Sequence, residues 1–568
     1  MATPALYFNA LAIALGSFQY GHHIGELNSP QKVITSCDPS VIDWQVEPVR
    51  AYGNGISDSA REKLLASAGP PSVTGGVPGG LPMCIPMTDS EWSVLVAFLT
   101  VGGLLGSLFI GGRMADRFGR RRAMMANNVF LLLGSIVMGQ AGAYGPMVFG
   151  RFLIGIGCGN FTVIVPLYLA EISPPDLRGT LGTMNQLGIV VGILFSQVLG
   201  LYLSTSTGWR VILLAGAALS VLQLLMLPFC VESPRYMALQ PGGLYMARRA
   251  LQTLRGRSDV NGEIRDWTRQ DDRAALAEEE GFVGPAGSRG GGGGGEEATN
   301  TDPLLPRTPP SHAPSNGGGQ TTVGGSRLED DDEGLQDAGQ PQPKVFDAIN
   351  TPASVGVSVI EFVTWPRYRR PLGILTLVQL SQQLSGINGV MFYSTAIMST
   401  ILPTSGAMIT VYISMVNVAM TLIAAYLMDR AGRRTLLLVS SSAMGVSSAV
   451  LAMSLNYELP MLSAVAIIAF VASFAIGLGP VPFLIIPEVV DTHAVGSASS
   501  YALSVNWTTN FIVSVLFLQL KNWLGGSVFF LFAFFLAGIT YGTYHVVPET
   551  KGKTTDEVIR SWQNSDGF

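Results

Sequence analysis

Long apolar stretches alternate with short polar segments along most of the chain. A helix needs roughly 20 apolar residues to cross a bilayer, because only a closed helix satisfies its own backbone in hydrocarbon. Six such stretches precede a long polar interval and six follow it. We predict spanning helices near Ala5–Leu27, Trp92–Gly112, Arg122–Gly142, Met147–Ala170, Leu181–Leu203 and Val211–Val231, and near Pro371–Ile397, Ile409–Met428, Thr435–Leu455, Pro460–Pro487, Ala498–Leu520 and Gly526–Val546.

The composition also indicates a membrane protein. Of 568 residues, 48% are hydrophobic and only 13% are charged, whereas about a quarter of the residues in soluble domains are charged. The formal net charge of -5 comes mainly from acidic runs in the polar interval, Glu278–Glu280 and Glu329–Asp332, and it indicates no nucleic-acid partner. The residues predict no enzyme, no cofactor and no metal, because we find no nucleophile with a paired base, metal cluster or phosphate loop.

Basic residues orient the spans, because short cytosolic loops collect Lys and Arg. Arginines follow the second, fourth and eighth spans, and these loops share one side of the membrane if the amino terminus is cytosolic. An even number of spans then places the carboxyl terminus in the cytosol as well. The arginines are Arg117, Arg120, Arg121, Arg122, Arg178, Arg430, Arg433 and Arg434.

Two helical bundles are expected, joined by the polar interval. Within the interval, about 283–343 is rich in Gly and Pro and is predicted to be disordered. Short amphipathic helices are expected beside it, at Tyr245–Arg255 and Val345–Phe362. The predicted divisions are 1–231 (amino-terminal bundle, with a long non-cytosolic loop at 29–91), 232–370 (cytosolic loop), 371–547 (carboxyl-terminal bundle) and 548–568 (cytosolic tail).

The two halves repeat one another. Motifs of the same type occur after the second span, at the end of the fourth span and at the end of each half. This pattern indicates duplication of a six-helix unit, with a substrate site between the halves. The matched pairs are Asp116–Arg121 with Asp429–Arg434, Pro166–Glu171 with Pro482–Glu488, and Glu232–Arg235 with Pro548–Gly552.

The repeated Arg-rich turns have a possible use beyond topology. Gly allows a tight turn, and the Asp and Arg side chains can form charge-assisted hydrogen bonds to helix ends and nearby acids. We predict cytosolic gates there, against the alternative that the arginines only anchor the loops. The gate residues are Asp116, Arg117, Arg121, Glu171, Arg178, Glu232, Arg235, Asp429, Arg430, Arg433, Arg434 and Glu488.

Together with these motifs, the segments Asn185–Leu194, Gln379–Asn388 and Asn506–Asn510 resemble the sugar porter family of the major facilitator superfamily, particularly its facilitative glucose transporters. The resemblance covers both bundles. It implies an all-α integral membrane protein with twelve transmembrane helices in two pseudo-symmetric six-helix bundles. It also implies hexose transport by alternating access, with facilitative uniport favoured.

Span seven carries four amides, Gln379, Gln382, Gln383 and Asn388. The glutamines are spaced i, i+3, i+4 and share one helix face. Amides both donate and accept hydrogen bonds, as sugar hydroxyls do, and in hydrocarbon they are costly unless paired or beside a wet cavity. We therefore favour a binding face over the alternative that these amides only hold helices together.

The resemblance implies sugar contacts in both halves. Phe483 stands where the family usually has tryptophan, which keeps an aromatic wall without the indole N–H. Ala475 replaces an acidic residue that is common in the same span. The implied binding set is Gln186, Gln382, Gln383, Asn388, Asn417, Asn510 and Phe483, with Gln379, Phe392, Tyr393 and Trp507 as additional pocket or gate residues.

The first span departs from facilitative members around His22, His23 and Glu26. Proton-coupled members carry an aspartate at the His23 position. Because His titrates near neutral pH and an intramembrane carboxylate is a functional candidate, proton coupling through Glu26 or His23 stays open, with Arg151 as charge partner. The favoured interpretation is that this cluster lines the wet non-cytosolic mouth.

Other features leave alternatives open. Cys37 and Cys84 share the non-cytosolic first loop and either form a disulfide or remain free. The long middle loop would also suit a transporter-like sugar sensor. Asp302-Pro-Leu-Leu-Pro306 resembles an acidic dileucine sorting signal, so the plasma membrane and a vacuolar or lysosomal membrane are both candidates. The expected partners are a small sugar, the bilayer and, under the coupled alternative, protons; the sugar's identity and the oligomeric state stay open.

Overall fold

The computed structural model describes residues 3–37, 80–174, 177–265, 357–402, 405–491, 494–553 and 557–559. Within these ranges the chain forms helices and connecting turns, with no β-strand. The segment predicted to be disordered and the Asp302–Pro306 motif lie outside the described residues. The fold of the described part is therefore all-α.

Twelve helical segments of the described residues carry the apolar stretches, and we number them α1 to α12. The amino-terminal half contains α1 (Pro4–Gly25), α2 (Asp89–Phe118), α3 (Arg120–Gly139), α4 (Tyr144–Ile172), α5 (Arg178–Leu203) and α6 (Trp209–Met226). The carboxyl-terminal half contains α7 (Arg369–Leu384 and Ile387–Ile401), α8 (Gly406–Ala431), α9 (Arg433–Asn456), α10 (Pro460–Ile476), α11 (Val495–Leu524) and α12 (Val528–Val546).

Short helices fill several of the connections. Within α2, residues Gly106–Gly111 form a π-helical turn. The remaining short helices are Gln31–Thr35, Leu227–Phe229, Pro234–Ala238, Leu244–Arg255, Val359–Thr364, Pro366–Tyr368, Val481–Leu484, Ile486–Val489 and Gly525–Ser527. The amphipathic helix predicted at Tyr245–Arg255 is thus present as Leu244–Arg255, and Val359–Thr364 overlaps the end of the second one.

By length and apolar composition, nine helical stretches of the described residues can span a membrane. One of them, Val495–Val546, contains both α11 and α12, and α1 and the interrupted α7 complete the twelve. The predicted fold class is therefore confirmed.

Two predicted spans are interrupted. Span seven was expected to be continuous, but α7 breaks at Ser385 and Gly386. Span ten was expected to reach Pro487 and to bend at Gly477, Gly479, Pro480 and Pro482; α10 ends at Ile476, and two single-turn helices follow it. The second interruption falls among Gly and Pro residues, which weaken or remove helical hydrogen bonds.

Small residues allow close packing of α2. A β-carbon at Gly102 would lie 2.2 Å from the carbonyl oxygen of Phe152 in α4. A β-carbon at Gly103 would lie 2.7 Å from the indole of Trp507, which belongs to α11 in the other half. The halves meet along α2 with α11 and along α5 with α8, and close backbone approach at small residues is a common way to join membrane helices.

Matching glycine turns precede α3 and α9. Gly119 has φ 86° and ψ 163°, and Gly432 has φ 87° and ψ 156°. These positive φ values favour glycine. A backbone N–H of the following helix donates to Glu232 at 3.0 Å in the first half, and to Glu549 at 2.9 Å in the second. Each half thus ends with a glutamate that satisfies an otherwise unpaired donor at a helix start. We call the side of the protein with these turns the Arg-rich end.

At the opposite end of the first half, the described ends of the first loop are cross-linked. A disulfide joins Cys37 and Cys84, whose Cα atoms are 5.5 Å apart. Beside it, the buried Arg210 at the start of α6 donates to the carbonyl oxygens of Pro82 at 2.7 Å and Ala141 at 2.8 Å. The segment around Pro82 is therefore held to α6 by the hydrogen bond from Arg210, while Cys84 is linked covalently to Cys37.

Candidate functional site

A cavity lies between the two halves. Its walls come from α1, α4 and α5 on one side, and from α7, α8, α11 and the region of the α10 interruption on the other. None of the lining residues is charged, so the cavity suits a neutral polar ligand. The lining residues are Ser17, Tyr20, Ile24, Phe161, Thr162, Asn185, Gln186, Ile189, Val190, Ile193, Gln382, Gln383, Ile387, Asn388, Met391, Asn417, Phe474, Phe483 and Asn506.

The amides of α7 hold the interruption that follows α10. Gln382 donates to the carbonyl oxygen of Gly479 at 2.9 Å, and Gln379 donates to that of Pro482 at 3.0 Å. A broken helix leaves such carbonyls without intrahelical partners, and side chains of neighbouring helices can satisfy them. The predicted amide face is therefore present, but Gln379 contacts the interruption and does not line the cavity.

Asn506 of α11 connects the α7 amides. Its Nδ2 donates to Gln382 at 2.7 Å and to Gln379 at 2.8 Å, and its Oδ1 accepts from Gln383 at 3.0 Å. Asn388 donates in turn to Gln383 at 2.5 Å. The five amides form one connected network. Asn506 was not among the predicted site residues, although it begins the same motif as Asn510 and a polar residue in a spanning helix is itself a functional signal.

The first half supplies a smaller set of polar groups. Gln186 lines the cavity as the resemblance implied, and the neighbouring Asn185 accepts a hydrogen bond from Ser17 at 2.6 Å. Tyr20 and Phe161 add aromatic surface. These four companions of Gln186 were missed, because no single residue of α1 or α4 stands out by composition.

The remaining predicted binding residues divide into two groups. Asn417 and Phe483 line the cavity with the α7 amides. By contrast, Asn510 accepts a hydrogen bond from Ser514 at 3.0 Å and is not among the lining residues. Trp507 is also outside the lining, where its ring lies 5.7 Å from that of Tyr20.

Phe392 and Tyr393 pack in the second half of α7. Tyr393 is buried and stacks on Phe517 of α11, with 5.4 Å between the ring centroids. Phe392 meets Tyr393 edge to face at 6.5 Å. Neither residue lines the cavity, so any part they play in closing over a ligand requires α7 to move.

The residues singled out in the first span form a buried charge cluster. Glu26 accepts a hydrogen bond from Arg151 at 2.6 Å and lies 2.9 Å from Nδ1 of His23 and 3.5 Å from Nε2 of His22. All four side chains are 0% exposed. The interpretation that this cluster lines a wet mouth is therefore wrong for the described conformation: α4 and α6 enclose it within the first half.

Within the described part of the chain, several polar atoms of this cluster have no hydrogen-bond partner. They are Nε2 of His23, and Nε and Nη2 of Arg151. His22, His23 and Glu26 each offer a ligand atom within 4.8 Å of one another. Even so, the carboxylate of Glu26, which a metal cation would need as a ligand, already accepts a hydrogen bond from the guanidinium of Arg151. These residues therefore fit a metal ion poorly.

The Arg-rich turns form ion pairs inside each half. Arg120 reaches Glu171 at 2.9 Å and Asp116 at 3.5 Å, and Arg433 reaches Glu488 at 2.9 Å. Arg120 was not among the predicted gate residues. All these pairs join residues of the same half, so they brace each bundle separately.

Other predicted gate residues make local contacts at the Arg-rich end. The guanidinium of Arg121 donates to the carbonyl oxygen of Cys230 at 3.0 Å, and that of Arg434 donates to Tyr544 at 2.6 Å. Arg117 and Arg430 lie over aromatic rings, at 5.6 Å and 4.2 Å. Of the remaining predicted gate residues, Arg235 lies in the helix Pro234–Ala238, Arg178 in α5 and Asp429 in α8. The side chains of Arg178 and Asp429 are outside the described residues.

A sequence model described as "Sugar (and other) transporter" matches residues 9–288 and 323–562. The chain belongs to the sugar porter family of the major facilitator superfamily. Among its relatives, facilitated glucose transporter member 4 of solute carrier family 2 from Homo sapiens is 33% identical over 573 residues, covering 99% of this chain and 92% of the relative. Member 2 from Sus scrofa is 30% identical over 578 residues, covering 100% and 95%.

This sugar porter also resembles solved structures. The xylose transporter XylE from E. coli, in a partially occluded inward-open conformation, superposes with a TM-score of 0.64 at 18% identity, covering 97% of this chain and 100% of XylE. A second structure, the proton:xylose symporter XylE bound to 6-bromo-6-deoxy-D-glucose, gives a TM-score of 0.63. These likenesses support the fold. The sugar porter is a multi-pass membrane transporter, and its relatives are carriers and not enzymes.

Proposed function

We propose that this sugar porter carries a glucose-like hexose across the membrane by alternating access, as a facilitative uniporter. One observation carries the proposal: an uncharged cavity between the halves presents amides from both of them, Gln186 and Asn185 opposite Gln382 and Gln383. A hexose is neutral and its hydroxyls both donate and accept, so amides can satisfy every hydroxyl without a buried charge. Phe483 and Phe474 supply apolar surface for the ring faces.

The contacts between the halves support a cavity that is closed at one end. Opposite the Arg-rich end, Asn28 donates to the hydroxyl of Ser394 at 2.7 Å and accepts from the backbone N–H of Thr395 at 3.2 Å. At the same end, Asn522 donates to Asp89 at 3.2 Å. Opening these bonds while the Arg-rich ends approach would expose the cavity on the other side, as alternating access requires.

The test is uptake of labelled hexose into liposomes that contain the purified full-length protein. Saturable uptake that stops at equal concentrations inside and outside supports a uniporter. Binding of hexose without any flux would favour the sensor alternative instead. Competition by xylose, a polyol and inositol would then rank the substrates, since these differ by the hydroxyls that the amides contact.

Proton coupling is a second candidate, favoured by the enclosure of the charge cluster. Glu26 or His23 would carry the proton, and Arg151 would stabilise Glu26 in its ionised state. A buried carboxylate that exchanges one partner for a proton is a common coupling device. Sugar accumulation under an imposed pH gradient, lost in Glu26→Gln, would establish coupling. Equilibration without accumulation would exclude it.

We further propose that both termini are cytosolic, with the Arg-rich end facing the cytosol. The basic turns support this orientation, and so does the disulfide at the other end, because disulfides persist on the oxidising side of a membrane. Either the plasma membrane or a vacuolar or lysosomal membrane fits. Imaging the Leu304→Ala, Leu305→Ala variant tests the sorting motif, and an unchanged location would remove the argument for the vacuole or lysosome.

A further inference from the structure

The segment before α7 presents apolar side chains outward. The short helix Val359–Thr364 buries Phe362, which is 0% exposed and lies 5.1 Å from the ring of Tyr368. Its other face carries Ile360, which is 76% exposed, and is followed by Trp365, which is 45% exposed. One side of this segment packs on the protein, and the other side needs a different neighbour.

Local contacts fix the conformation of the segment. Ser358 and Glu361 form a capping box at the start of the helix, with hydrogen bonds of 2.7 Å and 3.2 Å. The ring of Trp365 stacks on Tyr368 with an interplanar angle of 9°, and Arg367 pairs with Asp491 at 3.0 Å. The outward apolar face therefore has a defined conformation.

Positive charge lies next to this face. Arg369 and Arg370 are both exposed and are the first two residues of α7. An apolar face beside exposed arginines and an interfacial Trp is the pattern of a segment that lies in a membrane surface.

We propose that Ile360, Val363, Trp365, Arg369 and Arg370, here called the α7 anchor, bind anionic phospholipids of the cytosolic leaflet. The apolar side chains would enter the boundary between headgroups and acyl chains, and the arginines would contact phosphates. The bilayer is the occupant because the anchor runs directly into a spanning helix. The proposal rests on the orientation given under the proposed function.

The anchor has a direct route to the binding site. It leads into the first part of α7, which carries Gln382 and Gln383 and ends at the interruption after Leu384. Lipid bound at the start of this helix would hold it against the cytosolic leaflet while the rest of α7 moves. Lipid composition would therefore set the rate of the transport cycle.

A fluorescence experiment tests the contact without depending on transport. Ile360→Cys in the full-length protein is labelled with bimane, which is feasible because the other cysteines of the chain are disulfide-bonded or buried. In liposomes of phosphatidylcholine and phosphatidylserine, nitroxide-labelled phospholipids should lower its emission roughly two-fold or more, as expected for a residue in the interface. Aqueous iodide should have little effect.

Asn261→Cys, an exposed position at the Arg-rich end, is the matched control and should show the reverse pattern. Strong quenching of the Ile360 label by iodide would overturn the proposal. Shielding from both quenchers would also overturn it, because the middle loop or a second copy of the chain would then cover the face.

A transport experiment tests the consequence. Each Arg near an anionic surface contributes roughly five-fold in affinity. Phosphatidylserine should therefore change the rate of hexose flux, and Arg369→Gln with Arg370→Gln should abolish this lipid response. Arg248→Gln with Arg249→Gln removes the same charge from the helix Leu244–Arg255 and should keep the lipid response. Equal lipid responses in both variants would overturn the coupling to transport. Absence of flux in every protein, with the quenching pattern intact, would instead refute the proposed function.

Discussion

The amide network of the second half and the charge cluster of the first half differ in charge and in hydrogen bonding. In the second half, Gln382, Gln383 and Asn506 are neutral and each side chain has hydrogen-bond partners. In the first half, Glu26 and Arg151 are charged and fully buried, and some nitrogens of Arg151 and His23 have no hydrogen-bond partner among the residues that the structure describes. The hydrogen bonds of the amide network are satisfied and the network borders a cavity. The charge cluster is enclosed by protein, and some of its described polar atoms lack hydrogen bonds.

This difference suggests that the amide network determines ligand binding, whereas the charge cluster determines the stability of the folded protein. Amide hydrogen bonds exchange readily with sugar hydroxyls at little net cost, since one neutral partner replaces another. Buried charges have no such substitute, and removing one partner leaves the other uncompensated. Changes in the charge cluster should therefore affect the whole protein, and changes in the amide network should affect the ligand.

The largest effect is expected from Arg151→Met. The substitution leaves Glu26 buried beside two histidines, and breaking a buried ion pair typically costs about 3–5 kcal/mol. The thermal stability of the purified protein in detergent should fall sharply. Arg151→Met combined with Glu26→Leu should recover most of the loss, and Arg122→Met, at an exposed position, should change little. An unaltered melting temperature in Arg151→Met would contradict the role of the charge cluster in stability.

A smaller and more specific effect is expected from Gln383→Ala. It removes a cavity amide that also contacts Asn388 and Asn506, which corresponds to about 1–2 kcal/mol of hydrogen bonding. The concentration of hexose that gives half-maximal uptake should rise roughly ten-fold, with little loss of folded protein. Asn510→Ala, outside the cavity lining, is the control. Equal changes in both variants would show that the cavity does not define the binding site.

Asn28→Ala should shift the conformational balance. Asn28 follows Glu26 by two positions and makes two hydrogen bonds between the halves, each worth about 1 kcal/mol. Labelling of Met391→Cys in the cavity by a membrane-impermeant thiol reagent, applied at the end opposite the Arg-rich turns, should rise roughly ten-fold. Ser29→Ala is a close control, because Ser29 bonds Gln197 of its own half. A similar rise in both variants would argue against a role for Asn28 in closure.

The smallest effect is expected from Asn522→Ala in the same labelling assay. Its hydrogen bond to Asp89 also joins the halves but is exposed to solvent. Water can replace an exposed partner, so the loss should be below about 0.5 kcal/mol and the change about two-fold or less. A shift as large as that of Asn28→Ala would mean that burial does not rank these contacts.

The fold and half of the site were predictable from short-range patterns. Apolar length and repeated turns indicated the twelve helices, and the spacing of Gln379, Gln382 and Gln383 indicated their common face. Gln379 shares that face but contacts the interruption at Pro482. Sequence spacing gives the direction of a side chain from its helix and does not give the partner that lies opposite.

The parts that sequence reasoning missed depend on contacts between distant segments. Asn506 joins amides that are more than a hundred positions away. Arg120, which was not among the predicted gate residues, reaches Glu171. The enclosure of His22, His23 and Glu26 depends on how α4 and α6 pack around α1, which no local pattern records. From sequence alone, a polar cluster near the end of a span is therefore interpreted as solvent-exposed, and only its packing neighbours show that it is buried.

The paired glycines before α3 and α9 have an evolutionary consequence. A β-carbon at Gly119 would come within 2.7 Å of a carboxylate oxygen of Glu232, and one at Gly432 within 2.5 Å of Glu549. Each half needs its own glycine and its own glutamate, because each glutamate accepts from the helix start of its own half. The two turns therefore give two positions at which a single substitution is harmful, and both copies of the motif are expected to stay under purifying selection.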